Sequence, residues 1–266
     1  MMKKIESESK FIWKFILYIL LTPITLIQIV LRRKRFRDLF KPFRELWVFV
    51  LEPKFTISVI LVNIVLFFVS MMFFSDKLFS SLISYPSDLF SPRIYTLITS
   101  GFLHANLAHL IGNMLALFIF GRVVEKKLGP AKTAAVYFGA LIISGIFTSL
   151  IHLTIIKDNT GGLGASGAIM GLISAAILLA PFYLTYELVF PLPIMLVGWL
   201  TIYADISGII NPVEDGIGHF AHLGGFISIA LLIFFFGGED KAKLRKGLII
   251  NAVSLAIFLL LYSLLL

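Results

Sequence analysis

The 266-residue chain contains no cysteine. Thiol catalysis, cysteine-ligated metals and disulfide frameworks are therefore excluded. Charge is also scarce. Asp, Glu, Lys and Arg make up 14% of the residues, against about 25% in soluble domains. With 59% hydrophobic residues and a mean hydropathy of +0.97, a water-soluble globule would lack the polar surface it needs. Disorder is excluded on the same ground. Glycine, at 20 residues, is too sparse for a collagen-like repeat, and no internal repeat or long low-complexity segment is present. The class that remains is an all-α polytopic membrane protein.

A spanning helix needs about 20 apolar residues. Candidate spans run over Ile57–Phe74, Leu107–Phe120, Ala134–Ile156, Ile194–Tyr203, Ala221–Phe236 and Leu248–Leu266, with Ser166–Ala180 as a shorter seventh. Sixteen basic residues cluster in three alternate blocks, Arg32–Lys54, Arg122–Lys132 and Lys241–Lys246. The intervening loops hold three, Lys77, Arg93 and Lys157. The positive-inside rule places the rich blocks in the cytoplasm and predicts seven spans with the C-terminus outside. The net charge of +8 is thus an orientation signal, suited at Arg32–Arg37 to anionic lipid, and no nucleic-acid partner is expected. Phe11–Val30 is long enough to span, but Lys14, Pro23 and Gln28 interrupt it. It reads as a kinked, interfacial or partly inserted cytoplasmic helix, with no small-residue cleavage site behind it. The expected organisation is a basic N-terminal segment (1–54), a six-span core (55–237), and a basic linker with a seventh span (238–266). The connection Ser75–Gly101 is too apolar for a solvated loop. It is expected to fold against the bundle or lie partly in the outer leaflet.

Gly161, Gly162 and Gly164 oppose helix, and Pro181 closes the apolar run that follows. A helix over Ser166–Ala180 is about 22 Å long, short of a hydrocarbon core of about 30 Å. It should start below the outer surface, with the glycine-rich strand lining a wet, protein-walled cavity. Ser166 sits at its mouth. A serine there suits an N-cap as well as a nucleophile, and Gly-Ala-Ser-Gly matches the nucleophile elbow only partly. Intramembrane ionisable groups are functional candidates. His109 and Asn113 share a helix face at i, i+4, either as interhelical hydrogen-bonding groups or as donors to an oxyanion. His104, His109 and His222 with Asp205 offer metal-ligand atoms, yet no metal-specific spacing appears, so neither metal nor cofactor is expected. Gly167 and Gly171 on one helix, and Gly224 and Gly225 beside His222 on another, allow close packing. That packing would bring Ser166 and His222 to similar depth as an activated nucleophile and its base. Asp205, Glu214 and Asp215 are assigned to the outer loop, so a Ser-His dyad is expected rather than a triad.

The chain resembles the rhomboid intramembrane serine proteases. The resemblance rests on His104-x4-His109-x3-Asn113, Gly164-x-Ser166-Gly167 and Ala221-His222-Leu-Gly-Gly225, in the family's order, and covers roughly Thr56–Gly237. It implies a rhomboid-like six-helix bundle plus one C-terminal transmembrane helix. It also implies Ser166 as nucleophile, His222 as general base and acid, His109 and Asn113 as oxyanion-hole side chains, and His104 as a loop anchor. Span five and the loop from Asp205 to Phe220 match the lateral gate and cap. Substrates would be single-pass or other transmembrane proteins, cut at a site opening to the extracytoplasmic side, while the sequence leaves the oligomeric state open. Met170 stands where the family often has Tyr, Tyr95-Thr96 where it has Trp-Arg, and Ile229 where it has the second Gly of Gly-x3-Gly. The rival readings are a non-cleaving rhomboid-like binding module and, with neither repeats nor midplane acids to support it, a His-based transporter.

Overall fold

The computed structural model describes residues 8–188, 190–212 and 216–265. Three amphipathic segments, α1 (Glu8–Leu20), α2 (Thr22–Val30) and α3 (Lys41–Leu51), precede the bundle. The first pair bends by 48° at Pro23, which cannot continue the hydrogen-bond ladder of the helix before it. The bundle follows as α4 (Lys54–Phe73), a segment with two short helices α5 (Asp76–Leu82) and α6 (Thr96–Thr99), and then α7 (Leu107–Ala116). A π-helical turn at Leu117–Gly121 joins α7 to α8 (Arg122–Leu128). After these come α9 (Pro130–Ile151), α10 (Ser166–Leu179), α11 (Ile194–Ile210), α12 (His219–Leu232) and α13 (Gly238–Leu265). Between α10 and α11, β1 (Leu184–Leu188) and β2 (Phe190–Pro193) form an antiparallel hairpin with Leu184 opposite Pro193. It is the only sheet among the described residues.

Four helices, Lys54–Phe73, Leu107–Leu128, Pro130–Ile156 and Gly238–Leu264, are long and apolar enough to cross a membrane. The bent N-terminal pair qualifies as a fifth only if it is one span. Three shorter apolar helices complete the set, Ser166–Leu179, Ile194–Ile210 and His219–Phe235. The architecture is an all-α polytopic membrane fold, as expected.

The short helix α10 is the axis of this bundle, buried continuously from Gly167 to Ile177. Burial alone does not hold it there, because lipid tails are as apolar as leucine. Close packing does. A Cβ on Gly171 would fall 2.2 Å from the Ala140 Cβ of α9, and one on Gly225 would fall 2.0 Å from the carbonyl oxygen of Gly167. The helices α10 and α12 therefore meet backbone to backbone, and α9 closes on α10 through the small side chains of Ala140 and Ser144. At the far end of α10, the Asn251 amide of α13 donates to the Ile177 carbonyl at 2.8 Å and accepts from the Trp199 indole of α11 at 3.0 Å. One apolar-run asparagine thus ties three helices.

The segment between α4 and α7 does fold against the bundle. Leu97 is buried against Gly145 of α9, and Gly101 packs on Leu141. Its polar anchoring does not need the Trp-Arg pair. Asp88 accepts from the Tyr85 N–H at 3.0 Å, pairs with Arg93 at 3.3 Å and accepts from the Thr96 hydroxyl at 3.3 Å. Tyr95 donates to the Ser81 carbonyl at 3.1 Å and Thr99 to the Leu82 carbonyl at 2.9 Å.

At the opposite end of the bundle, two charges are structural. Glu125 accepts from the N–H groups of Phe55 and Thr56, both at 2.9 Å, and from the Thr56 hydroxyl at 2.8 Å. Arg122 is fully buried. Its guanidinium lies 3.7 Å from the Phe49 ring centroid and 3.2 Å from Glu52. It is part of the packing rather than of a solvated basic loop.

Candidate active site

The site starts with two helix entrances. Asn106 caps α7, its side-chain oxygen accepting from the His109 N–H at 2.8 Å. That cap fixes the start of the helix, which puts His109 in the first turn and Asn113 one turn deeper on the same face. The facing strand is 157–165. Ser84 and Gly162 form an antiparallel bridge, and the Gly164 N–H donates to the Ser100 carbonyl at 2.9 Å. Gly164 has φ +123°, a conformation only glycine adopts readily. Its missing side chain is also needed for space. A Cβ there would lie 2.8 Å from the His109 ring and 3.7 Å from the Asn113 Nδ2. The glycine strand and the His109–Asn113 face are thus in direct contact, two residues before Ser166.

Ser166 is not the cap of α10. Ala165 holds that position and makes no side-chain cap bond. Of the two roles open to a serine at this helix mouth, capping is removed, and the half-buried hydroxyl stands at the first turn. Asn113 is 8% exposed, and its amide nitrogen has no hydrogen-bond partner among the described residues. A buried donor left unpaired in this way needs a reason, and a ligand oxygen between Gly164 and α7 would supply one. Gly167 packs on Ser144 of α9 and on the Ala221 carbonyl of α12. Gly225 rests on the Gly167 backbone. His222 and Ser166 therefore lie within about one helical turn of a backbone contact between α10 and α12.

Three expectations are corrected by the geometry. Asp205 is not in a loop. It lies within α11, 4% exposed, and its Oδ1 is 2.8 Å from the His222 Nδ1 and 2.9 Å from the His219 Nδ1. Both imidazoles meet its Oδ1, the helix continues to Ile210, and the connection to α12 begins only at Asn211. His222 thus has a carboxylate beside it, contrary to the expectation of a bare Ser-His pair. Glu214 and Asp215 lie outside the described residues. Second, Gly224 does not face α10. A Cβ there would meet Phe147 of α9 at 2.9 Å, so the α10 contact is made by Gly225 and by Ser228, whose Oγ would lie 3.1 Å from a Cβ on Gly171. Third, the metal-compatible cluster is not His104, His109, His222 and Asp205. Asp205, His219 and His222 place ligand atoms within 4.8 Å of one another. Their short contacts are already those of direct hydrogen bonds.

Met170 is buried, with its Cβ 3.1 Å from the position of a Gly225 Cβ. It packs into the α10–α12 contact one turn below Ser166. His152 is remote in role, closing the 157–160 turn through Asp158 at 2.5 Å.

His104 sits in the turn ahead of α7, 3% exposed, its ring edge-on to His109 at 5.1 Å. Burial, and secondly the neighbouring His109, lower its pKa to about 4. The unfolded chain then binds a proton near pH 6.5 that the folded one refuses until about pH 4. Stability is full above pH 6.5 and falls as pH drops through that window, by about 3 kcal/mol in all at 1.36 kcal/mol per unit. Melting curves of detergent-solubilised protein between pH 4 and 8 should show this slope, and His104→Gln should flatten it.

A serine at the mouth of a short buried helix, an unpaired buried amide facing the strand before it and an imidazole on a touching helix, set in a multi-pass bundle, define a helical membrane protein with a polar cluster inside its bundle. The chain belongs to the rhomboid family, whose domain matches residues 91–239. It is 30% identical to Rhomboid protease AarA of Providencia stuartii over 208 residues, covering 66% of this chain and 70% of that protein. It is 32% identical to the mitochondrial RHOMBOID-like protein 12 of Arabidopsis thaliana over 171 residues, 59% of this chain and 48% of the relative. It is also 34% identical to Putative rhomboid protease YdcA of Bacillus subtilis over 140 residues, 53% and 66% respectively. The chain spans about half the length of the Arabidopsis relative.

Proposed function

We propose that this chain is an intramembrane serine endopeptidase that cuts transmembrane segments of other membrane proteins. The observation that supports it most is the backbone contact of Gly167 with Gly225, one residue from Ser166 and three from His222. Ser166 Oγ attacks the scissile carbonyl while His222 Nε2 takes its proton. The oxyanion is held by His109, Asn113 and the Ser166 N–H. Collapse of the tetrahedral intermediate expels the amine, which leaves with the proton from His222. Water, deprotonated by His222, then hydrolyses the acyl-enzyme and restores the hydroxyl. A helical substrate has no free carbonyl, so helix-breaking residues beside the cut assist unwinding, and the glycine-lined cleft favours a small side chain at the bond. Basic residues such as Lys126, Lys127 and Lys241 lie away from Ser166, so the positive-inside rule has the site open on the extracytoplasmic side.

The test is labelling of the purified full chain with fluorophosphonates of several sizes, followed by mass spectrometry of the adduct. The expected result is a label on Ser166 that Ser166→Ala and His222→Ala abolish, together with loss of cleavage of a reconstituted transmembrane substrate. No label on folded wild-type protein with any probe would favour the non-cleaving binding module.

A further inference from the structure

The carboxylate on α11 has no part in a Ser-His mechanism, and it is the best-placed partner of the imidazole on α12. Asp205 is 4% exposed. Its Oδ1 stands 2.8 Å from the His222 Nδ1, and its Oδ2 is buried without a partner among the described residues. A buried carboxylate is costly unless paired, so its position on a largely apolar helix needs a compensating function. The helix surface is also cut to receive imidazoles. Gly208, one turn beyond Asp205, has the His219 ring against it, where a Cβ would fall 2.2 Å from Nε2. Asp205 and Gly208 together make a seat for His219 and His222, whose ring centroids are 6.4 Å apart.

We infer that Asp205 is the positioning residue of the site, accepting the His222 Nδ1–H so that Nε2 presents its lone pair to Ser166, which makes the centre a Ser166–His222–Asp205 relay spread over three helices. This rests on the peptidase reading above. An imidazole has two tautomers, and only the one protonated on Nδ1 can act as base through Nε2. A carboxylate cannot donate, so it selects that tautomer, and its charge stabilises the imidazolium formed as the serine proton arrives. Because the carboxylate comes from α11 and the imidazole from α12, the base is correctly set only while these two helices are seated together. His219 shares the same oxygen at 2.9 Å and helps to hold the carboxylate in place.

The experiment measures the fluorophosphonate labelling rate of Ser166 in the full-length protein, in detergent with EDTA, against probe concentration. Wild type is compared with Asp205→Asn, Asp205→Ala and Asp205→Glu. The expected result is a fall of about 100- to 10,000-fold in the maximal rate, with the half-saturating probe concentration unchanged, and partial recovery in Asp205→Glu. Asp205→Asn should be at least as slow as Asp205→Ala despite its matching shape, because its amide can donate to Nδ1 and favour the wrong tautomer. A residue that merely holds α11 to α12 predicts the reverse order. Wild-type labelling that persists at full rate in both variants overturns the inference. If wild type itself carries no Ser166 label, the peptidase reading fails, and the pairing is decided by nitrogen NMR of histidine-labelled protein. A His222 protonated on Nδ1, with a downfield proton that Asp205→Asn removes, upholds it. A His222 protonated on Nε2 overturns it.

Discussion

Gly225→Ala, the addition of one methyl group, is expected to lower the Ser166 labelling rate at least 100-fold and to destabilise the bundle by several kcal/mol. The new Cβ would stand 2.0 Å from the Gly167 oxygen and 2.9 Å from its carbonyl carbon. Both atoms are backbone, so no side-chain rotation relieves the overlap, and α12 must move away from α10 by more than about 1 Å to reach ordinary contact. A displacement of about 1 Å between reacting groups costs on the order of 100-fold in rate, and overpacking adds about 1–3 kcal/mol or more. Two other glycines calibrate the result. Gly224→Ala meets the Phe147 side chain at 2.9 Å, which can shift, so a milder loss is expected. Gly112→Ala meets nothing within 4 Å and should stabilise by up to about 1 kcal/mol through helix propensity. Labelling rates and melting temperatures of the three variants, measured side by side, check the ordering. Equal behaviour of Gly225→Ala and Gly112→Ala would contradict the packing.

Glu125→Ala is expected to cost about 3–5 kcal/mol without touching the site. The helix α4 begins after Pro53, which offers no side-chain cap. Glu125 on α8 does that work from 70 positions away, accepting from Phe55 N–H, Thr56 N–H and Thr56 Oγ. Negative charge is also favourable at a helix N-terminus. Removing the carboxylate strands two amides and a hydroxyl in a buried setting, at about 1–3 kcal/mol each before relaxation. Glu125→Gln keeps an acceptor and should lose about half as much. Thr56→Val, which deletes only the hydroxyl bond, should cost about 1–2 kcal/mol. Thermal inactivation in detergent gives the order directly, and the labelling rate of the surviving folded fraction should stay near wild type.

The elements around Ser166 were legible because their rules are local. Three glycines, a serine and a short apolar run before Pro181 define a helix too short to reach a membrane surface, and α10 is that helix. His109 and Asn113 share a face by simple periodicity. Partners remote in sequence were harder to read. Asp205 looked like the end of a span because a charge interrupts an apolar run, yet Ile206, Ile209 and Ile210 continue the run beyond it, and that continuation was the available signal. Gly224 and Gly225 are equivalent in sequence, whereas a helix turns about 100° between them, sending one to α9 and the other to α10. Arg122 and Glu125 fell inside a basic block that sets orientation, and nothing in the block's composition separates two buried structural charges from the more accessible lysines beside them. The hairpin β1–β2 gave no clear strand signal beside the long apolar helices.

The Asn251 contact bears on the order in which the molecule can mature. The Ile177 carbonyl lies in the last turn of α10, where the helix itself supplies no donor, and its partner is made 74 residues later. Helices emerge from the ribosome in sequence, so Ser166 is inserted long before the amide that completes its helix exists. Until α13 docks, with Gly247 lying against the Leu178 backbone, α10 carries a bare polar group in an apolar setting. The end of α10 is therefore completed only once the last helix of the bundle has been made and has docked.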